Sequence, residues 1–315
     1  MKNYYIKSAL NYTGGKHKLL PQLFQQFPQP DTFNRFIDLF AGGGAVSVNV
    51  ANEFFSSLFK EDGEIVVNDS EYHVIDFLEF LSQSKIEEIL EKIYFYINKY
   101  GLSNTEKFGY APYYIGDKKD VSAYNKEKYK ILREDYNKHQ NKQDENILFY
   151  LLIVFGFNNQ IRFNSKGEYN LPVGKRDFNS QMKNKLIEFQ KILSSHKFSF
   201  KKEDFRNVTD IKKGDFIYAD PPYRISTATY NENNGWTLKD DLDLFDYLDK
   251  VDSIGAKFAM SNVIAHKGQY NKELIEWSKK YENKSPLRLT FNYNNSNYQS
   301  RAKKSETIEV LIKNY

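Results

Sequence analysis

Asp-Phe-Ile-Tyr-Ala-Asp-Pro-Pro-Tyr, residues 215–223, is the stretch that decides the fold. Its apolar part, residues 216–219, follows a glycine and precedes two prolines, which predicts a short buried strand that ends at Pro221. We therefore expect Asp220 at the end of a strand and the ring of Tyr223 just beyond a stiff proline turn. The alternative interpretation is a strand and a tight turn with no further role.

The chemical groups of this turn suit an amino group on a planar heterocycle. Asp220 offers a carboxylate, Pro221 offers a carbonyl that accepts hydrogen bonds, and Tyr223 offers a flat ring for stacking. The lone pair of such an aromatic amine is delocalised into the ring, which makes the nitrogen a poor nucleophile. Because two acceptors on its hydrogens favour a pyramidal nitrogen, hydrogen bonds to this turn lower the barrier to its attack.

A second strand and a glycine-rich loop occur at residues 35–45, which read Arg-Phe-Ile-Asp-Leu-Phe-Ala-Gly-Gly-Gly-Ala. Open α/β sheets bind ligands where such a loop follows a strand. A dinucleotide site is disfavoured, because Ser47 stands at the third glycine position of the Gly-x-Gly-x-x-Gly fingerprint and Asp38 precedes the loop. The next strand, residues 65–69, ends in Asp69, which we expect to accept hydrogen bonds from ribose hydroxyl groups.

The sequence Asn-Tyr-Thr-Gly-Gly-Lys, residues 11–16, precedes a segment with leucine and phenylalanine at helical spacing. The two glycines let the backbone turn tightly and approach a ligand. Lys16, beside that turn at the start of a helix, can bind an anionic group. An ordinary turn with a solvated lysine is the alternative.

The composition limits the classes of protein to which the chain can belong. Its 315 residues allow one large domain, or one domain with a sizeable insertion. It has no cysteine, which excludes disulfides, thiolate metal sites and the cysteine-dependent methylation of cytosine at C5. A net charge of +4 permits a nucleic-acid partner without arguing for one. The N-terminus lacks the apolar core of a signal peptide and no apolar run reaches membrane-spanning length, so we expect a cytoplasmic protein.

Residues 72–193 lack a strand-loop-helix repeat and have helical periodicity, with a helical segment expected over residues 74–100 and a loop over residues 101–123. We predict that residues 72–193 are a mainly helical insertion into an α/β domain formed by residues 1–71 and 194–315. Within the insertion, Phe163 and Tyr169 flank a Ser-Lys-Gly turn, which predicts a β-hairpin. A polar surface loop is the alternative.

These motifs and their order resemble the Dam-like, or alpha-class, DNA adenine-N6 methyltransferases. Asp-Pro-Pro-Tyr after an apolar strand is similar to their catalytic tetrad, residues 11–16 to their N-terminal Trp/Tyr-x-Gly-Gly-Lys motif, and residues 38–44 to their S-adenosylmethionine loop. Residues 162–172 are similar to the hairpin with which they contact DNA. The resemblance implies a Rossmann-like α/β sheet, an inserted target-recognition domain, S-adenosylmethionine as the cofactor and double-stranded DNA as the partner.

The resemblance also implies roles for individual residues. The catalytic tetrad is Asp220, Pro221, Pro222 and Tyr223. The cofactor-binding set is Tyr12, Gly14, Gly15, Lys16, Asp38, Phe40, Ala41, Gly42, Gly44, Asp69, Asp204 and Phe205. The DNA-binding set is Arg162, Asn164, Lys166, Asn170, Lys175 and Arg176. Apart from the resemblance, Arg301, Lys303 and Lys304 precede the predicted closing strand in a loop and are candidate phosphate contacts.

Two members of the cofactor set have specific roles in the resemblance. Asp204 is expected to accept a hydrogen bond from the adenine amino group of the cofactor, and Phe205 to pack on its adenine ring. Residues 224–235 include few apolar residues and many that are small or carry amides. We expect this segment to close over an extruded base; an ordinary loop is the alternative.

The function that the resemblance implies is site-specific methylation of N6 of an adenine that is flipped out of the duplex. From family habit we expect the modification enzyme of a restriction-modification system, a cognate endonuclease that acts separately, and a monomer or weak dimer with no membrane partner. The alternatives are amino-methylation of RNA or of cytosine N4, and a catalytically silent DNA-binding module. Asp220 disfavours the cytosine enzymes, which usually carry Ser-Pro-Pro-Tyr, and protein glutamine enzymes, which carry Asn-Pro-Pro-Tyr.

Overall fold

The apolar strand at residues 215–219 lies inside an eight-stranded sheet in the computed structural model of the chain. The structure describes residues 5–12, 14–55, 63–115, 118–139, 142–225, 235–282, 287–289 and 307–315. The strands are β1 (Arg35–Asp38), β2 (Glu64–Asn68), β3 (Tyr114–Ile115), β4 (Lys118–Lys119), β5 (Phe198–Lys201), β6 (Asp215–Ala219), β7 (Lys257–His266), β8 (Gln269–Tyr270), β9 (Leu287–Leu289) and β10 (Thr307–Lys313).

The α-helices of the described ranges surround this sheet or build the insertion. They are α1 (Leu20–Gln26), α2 (Ala45–Phe54), α3 (Tyr72–Gln83), α4 (Ile86–Tyr100), α5 (Thr105–Phe108), α6 (Val121–Asn137), α7 (Glu145–Phe155), α8 (Ser180–Ser195), α9 (Leu238–Ile254) and α10 (Lys272–Ser278). Among the described residues, no helix has both the length and the apolar character needed to cross a bilayer.

The sheet has the strand order β5-β2-β1-β6-β7-β10-β9, and β8 pairs with β7. The pairs from β5 through β7 are parallel, whereas β10 is antiparallel to both β7 and β9. The chain leaves β1 toward β2 and β5 on one side and later returns to β6 on the other side. The junction of β1 and β6 is therefore the reversal point of the sheet, where open α/β folds bind ligands. This topology confirms the expected Rossmann-like α/β class.

Alternate side chains of β6 enter two different hydrophobic cores. Phe216 and Tyr218 belong to the core shared with α1, α2, α3, α8 and the insertion helices, while Ile217 and Ala219 belong to the core under α9 and α10. All four side chains are 0% exposed. Because successive side chains of a strand point to opposite faces, a strand that is covered on both faces is apolar at every position. This explains why the run at residues 216–219 has no charged or amide residue.

The insertion packs directly on one face of the sheet. Its central helix is α7, in which residues 147–155 are all buried, and α3, α4 and α6 pack against it. α3 also contacts β5, and α8 contacts both α2 and α3. The apolar core of the insertion is therefore continuous with that of the sheet. The division into residues 1–71 with 194–315 and residues 72–193 stays a prediction.

The structure differs from two expectations for the insertion. The helical segment at residues 74–100 is two helices, because the backbone is extended at Ser84 and Lys85 between α3 and α4, with ψ of 148° and 139°. The loop expected at residues 101–123 contains α5 and the small β3–β4 sheet. Thr105, which begins α5, donates from its backbone N–H and its hydroxyl to the Asp177 carboxylate at 2.9 and 2.7 Å. The spacing of apolar residues within a segment gives no information on a partner such as Asp177, which lies 72 positions further along the chain.

The hairpin predicted in the insertion is present as antiparallel bridges rather than as regular strands. Phe163 faces Tyr169, and Gly156 faces Val173. The Asn164 side chain accepts hydrogen bonds from the backbone N–H groups of residues 166 and 168, both at 2.9 Å, which closes the turn.

Phe216 provides a test of the core at the reversal point. Its ring centroid lies 4.9, 5.3 and 5.5 Å from those of Phe27, Phe33 and Phe36. We expect Phe216→Ala to lower the free energy of unfolding by about 3–5 kcal/mol, because it leaves a cavity among these rings. Urea denaturation measures the change. Phe95→Ala removes a ring that is 58% exposed and should cost less than about 1 kcal/mol; equal losses in the two variants would contradict the assignment of the core.

Candidate active site

The carboxyl ends of β1, β2 and β6 lie side by side at one edge of the sheet. Asp38, the last residue of β1, is in register with residues of both neighbours. Just beyond it, the Leu39 N–H donates to the Tyr218 carbonyl at 2.9 Å, and the Ala41 N–H donates to the Asn68 carbonyl at 2.8 Å. These bonds fix the start of the glycine loop against both neighbouring strands, so the loop and the Asp-Pro-Pro-Tyr turn emerge together.

The glycine loop after β1 contacts Tyr12 on one side and Asp69 on the other. Gly42 has a φ of +47°, and a Cβ atom at this position would lie 2.8 Å from the Tyr12 ring, so both the backbone and the contact require glycine. The Gly42 N–H donates to the Asp69 carboxylate at 2.8 Å. Gly44, with a φ of +71°, precedes α2. The structure thus brings together four members of the expected cofactor-binding set.

The turn of Gly14 and Gly15 carries Lys16 into the site. Gly14 has a φ of +80°, and the Gly15 N–H donates to the Tyr12 carbonyl at 3.3 Å. Lys16 is only 5% exposed, unlike the solvated lysine of the alternative interpretation. A buried lysine needs charged partners, and these lie on the Asp-Pro-Pro-Tyr turn and on β10.

Asp38 is a buried acid with one unpaired oxygen. Its Oδ2 accepts a hydrogen bond from the Ser47 hydroxyl at 2.6 Å, whereas its Oδ1 has no partner among the described residues. Burial raises the pKa of Asp38 to about 7, against the effect of Ser47, and the charges of Asp220 and Asp69 add to the rise. Because a buried acceptor without a donor is costly, this oxygen suits a ligand that donates a hydrogen bond. Ser47, which breaks the dinucleotide fingerprint, is thus a partner of this acid.

Phe40 and Phe205 form an aromatic wall beside the loop. Their ring centroids are 5.5 Å apart, and Trp236, to which the sequence analysis assigned no role, lies 5.6 and 5.7 Å from them. Asp204 is more exposed and forms an ion pair with Arg206 at 3.0 Å. The expected role of Asp204 as an acceptor for an adenine amino group stays a prediction, and it requires Asp204 to share its carboxylate with Arg206.

A network of charges holds the Asp-Pro-Pro-Tyr turn. Lys16 Nζ lies 2.8 Å from Asp220 Oδ2, and the Tyr223 hydroxyl lies within hydrogen-bond distance of Asp220 Oδ1, at 2.9 Å. Burial raises the pKa of Asp220, and the charge of Lys16 opposes that shift. Burial lowers the pKa of Lys16, but the attraction of Asp220 and Glu309 outweighs it and the net shift is upward. Pro221 is buried and Pro222 is half-buried. Packing of these two prolines against the protein therefore holds the turn in place.

Glu309 belongs to this network, although the sequence analysis did not identify it as a site residue. It lies on β10 and is 2% exposed. Its Oε1 is 2.9 Å from the Tyr223 hydroxyl and 3.6 Å from Lys16 Nζ. The hydroxyl has one hydrogen, so it donates to Asp220 or to Glu309 but not to both at once. The sequence did contain an indication of this role, because Glu309 is an acid within the apolar run of the last strand. An acid at such a position is rarely buried without a partner.

The expected DNA-binding residues lie on and beside the hairpin, and most are exposed. Arg162 donates to the Asn170 side chain at 2.7 Å and to its carbonyl at 3.1 Å. Asn164 is used in closing the turn. Lys166, Lys175 and Arg176 are exposed. The hairpin region reaches the glycine loop through Asn159, whose side-chain oxygen accepts from the Asn11 amide at 3.1 Å, and Asn11 directly precedes Tyr12.

Two further expectations fall outside the described residues. These are the phosphate contacts Arg301, Lys303 and Lys304, and most of the segment at residues 224–235 that was expected to close over a base. The first residue of that segment, Arg224, is described, and it forms ion pairs with Asp241 at 2.8 Å and Glu273 at 2.5 Å.

Comparisons with known proteins are consistent with this geometry. A family model described as D12 class N6 adenine-specific DNA methyltransferase matches residues 12–288. The chain is 36% identical to the Type II methyltransferase M.FokI of Planomicrobium okeanokoites and 33% identical to the modification methylase StsI of Streptococcus sanguinis, in both cases over 99% of this chain and 43% of the relative. A DNA adenine methylase of Vibrio cholerae is 25% identical over 78% of this chain and 76% of its own length. The chain thus spans less than half the length of the first two relatives.

Replacement of Lys16 tests the charge network through stability alone. We expect Lys16→Met to lower the free energy of unfolding at neutral pH by roughly 3 kcal/mol, because it leaves the buried Glu309 and the partly buried Asp220 without a cation. Below the pKa of an unfolded aspartate, about 4, Asp220 is protonated in both the folded and the unfolded state, so the part of the loss that comes from its charge should vanish. Above that pH the folded variant binds more protons than its unfolded chain, and its stability falls as pH rises.

Urea denaturation over a pH series measures this effect. Lys18→Met is the control, since Lys18 is exposed on the same turn and the net charge changes equally. A loss that is the same at every pH, or equal in both variants, would contradict the network.

Proposed function

The chain belongs to the D12 class of N6 adenine-specific DNA methyltransferases, and from this premise we propose that it methylates N6 of an adenine at a specific sequence in double-stranded DNA. The observation that carries the proposal is the position of the Asp-Pro-Pro-Tyr turn. The turn follows β6 at the edge where β1 leads into the glycine loop, at the reversal point of the sheet. A methyl donor held at the loop and an amino group held at the turn are then neighbours, as direct transfer requires.

S-adenosylmethionine is the methyl donor in this proposal, and the residues around the glycine loop fit it. The unpaired oxygen of Asp38 is an acceptor for a donor group of the ligand. Asp69 lies beside the loop as an acceptor for ribose hydroxyl groups, and Phe40 and Phe205 offer apolar surface to an adenine ring. Gly42 keeps the backbone close to Tyr12. When bound, S-adenosylmethionine supplies an electrophilic methyl group on a sulfonium centre.

The target adenine must leave the base stack, because N6 cannot reach the turn from within a duplex. Asp220 and the carbonyl of Pro221 accept the two N6 hydrogens, while Tyr223 packs on the ring. Each oxygen of a carboxylate has two lone pairs, so Asp220 can accept from N6 while it contacts Lys16 and Tyr223. These hydrogen bonds strengthen as the nitrogen becomes pyramidal, and they therefore stabilise the transition state more than the ground state. Transfer of the methyl group would break its bond to the sulfonium sulfur, with S-adenosylhomocysteine as the leaving group, and the methylated nitrogen then releases one proton, for which Asp220 is the adjacent acceptor.

The hairpin supplies the contacts to the duplex. Arginine pairs with guanine and asparagine with adenine through two hydrogen bonds in the major groove. Arg162 is held by Asn170, so its guanidinium is oriented before DNA binds. Lys166, Lys175 and Arg176 are exposed cations that suit backbone phosphates.

The biological role that we propose is the modification activity of a restriction-modification system. Relatives that cover 99% of the chain carry the names Type II methyltransferase and modification methylase. In such a role the chain acts in the cytoplasm on the cell's own DNA, and a cognate endonuclease acts separately on unmodified sites. The expectation of a monomer or weak dimer stays a prediction.

Asp220→Ala tests the chemistry of the turn. We expect methyl transfer to fall by at least about a hundredfold, because one of the two acceptors that activate N6 is lost. DNA affinity should remain close to wild type, since the hairpin is unchanged. Incorporation of tritiated methyl groups into plasmid DNA measures transfer, and a mobility-shift assay measures binding. Asp246→Ala, at an exposed acid on α9, is the control; an Asp220→Ala protein as active as this control would exclude the role.

Glu309→Gln tests the coupling between the buried Glu309 and the partly buried Asp220. Burial is the largest cause of the raised pKa of Asp220, and the negative charge of Glu309 adds to it. Removing that charge lowers the pKa of Asp220, so the acid limb of the kcat/KM profile for methyl transfer should move to lower pH. Glu276→Gln, at a residue that is 75% exposed, should leave the profile unchanged. Identical profiles for wild type and Glu309→Gln would show that Glu309 is not coupled to the turn.

A further inference from the structure

A cluster of three cations lies between the glycine loop and the hairpin. Its members are Lys7 in the N-terminal segment, Arg176 after the hairpin, and Lys185 on α8. The first two are exposed and Lys185 is half-buried. Burial, with the charges of Lys7 and Arg176, lowers the pKa of Lys185 to about 8. The charges of Lys7 and Arg176 thus both repel that of Lys185, which costs free energy in the protein without a ligand.

Two asparagine side chains hold two of these cations at fixed positions. Asn11 Oδ1 accepts a hydrogen bond from Lys185 Nζ at 2.6 Å, and Asn11 Nδ2 donates to Asn159 Oδ1 at 3.1 Å. The same Asn159 oxygen accepts from Arg176 at 3.3 Å. Asn159 is 2% exposed, and its Nδ2 donates to two carbonyls at the end of α7, at 3.0 and 2.8 Å. The amides are neutral, so they position Lys185 and Arg176 without neutralising them.

Acidic partners are missing from the described surroundings of the cluster. None of the ion pairs found among the described residues includes Lys7, Arg176 or Lys185. By contrast, Lys183 on the same helix pairs with Glu106 at 3.1 Å. Neutral amides hold Lys185 and Arg176, and neither cation forms an ion pair among the described residues, so their charge is available to an anionic ligand. An anion at this position forms charge-assisted hydrogen bonds and offsets the repulsion that Lys7 and Arg176 exert on Lys185.

We propose that Lys7, Arg176 and Lys185 bind a phosphate group of the DNA backbone. The proposal rests on the proposed function, and it assigns the cation cluster to the phosphate backbone of the bound duplex. Asn11 precedes Tyr12, whose ring packs on the glycine loop, and Arg176 follows the hairpin. A duplex that contacts the hairpin and presents a base to the catalytic turn therefore passes this cluster. Phosphate contacts of this kind fix the position and orientation of the duplex without reading its sequence.

The test is the salt dependence of DNA affinity. Lys185→Gln removes the charge and keeps an amide that can bond to Asn11. We expect the slope of log affinity against log salt to fall in magnitude by about 0.9, which weakens binding about eightfold at 0.1 M salt. The probe is a short fluorescent duplex of random sequence, because a phosphate contact does not require the recognition site. Lys191→Gln, at an exposed residue of the same helix, changes the net charge equally and should bind with the wild-type slope.

Arg176→Gln is the second variant, at an exposed residue. We expect it to reduce the slope of log affinity against log salt by the same amount as Lys185→Gln. Melting temperatures establish whether each variant is folded, and affinity for S-adenosylmethionine is measured in parallel. Slopes for Lys185→Gln and Arg176→Gln that equal those of Lys191→Gln would overturn the phosphate site. A loss confined to S-adenosylmethionine affinity would also overturn it, and would assign the cluster to the carboxylate of that ligand. A wild-type chain that binds no duplex would overturn the proposed function as well, so the two failures are distinguishable.

Discussion

The parallel pairing of β1 with β6 is the constraint on which the rest of the site depends. Both strands are buried on both faces, and both lead into a functional segment at the same edge of the sheet. Asp38 ends the first strand and Asp220 follows the second. The glycine loop is tied to this pair through the Leu39 N–H and the Tyr218 carbonyl. A shift in register between β1 and β6 would separate the loop from the turn, although every residue of both motifs would still be present.

The site concentrates ionisable groups that a stable core would normally avoid. Asp38, Asp220 and Glu309 are acids in buried surroundings, and Lys16 is the cation between two of them. Burial without full compensation keeps the pKa of both aspartates above its ordinary range. Burying these acids costs free energy of folding, which packing elsewhere in the fold offsets. Ligands that donate hydrogen bonds to the acids reduce this cost when they bind. Perturbed acids at a sheet edge are typical of catalytic sites.

The sequence predicted those parts of the structure that depend on local patterns. The strands, the glycine turns and the Asp-Pro-Pro-Tyr corner each carry their signal in a few adjacent residues. The break between α3 and α4 was missed because Ser84 and Lys85 are neither glycine nor proline. Glu309 was missed because its contact with Tyr223 spans 86 positions of the chain. Pairing across such a distance follows from the place of β10 in the sheet, which no short window of sequence contains.

The most direct test of the account is methylation-sensitive sequencing of DNA from cells that express this chain. The measurement reports the modified base, the modified atom and the surrounding sequence together. We predict N6-methyladenine at one recurring sequence, and no modification at other adenines. Methylation of cytosine at N4, or unmodified DNA in cells that contain the folded chain, would contradict it.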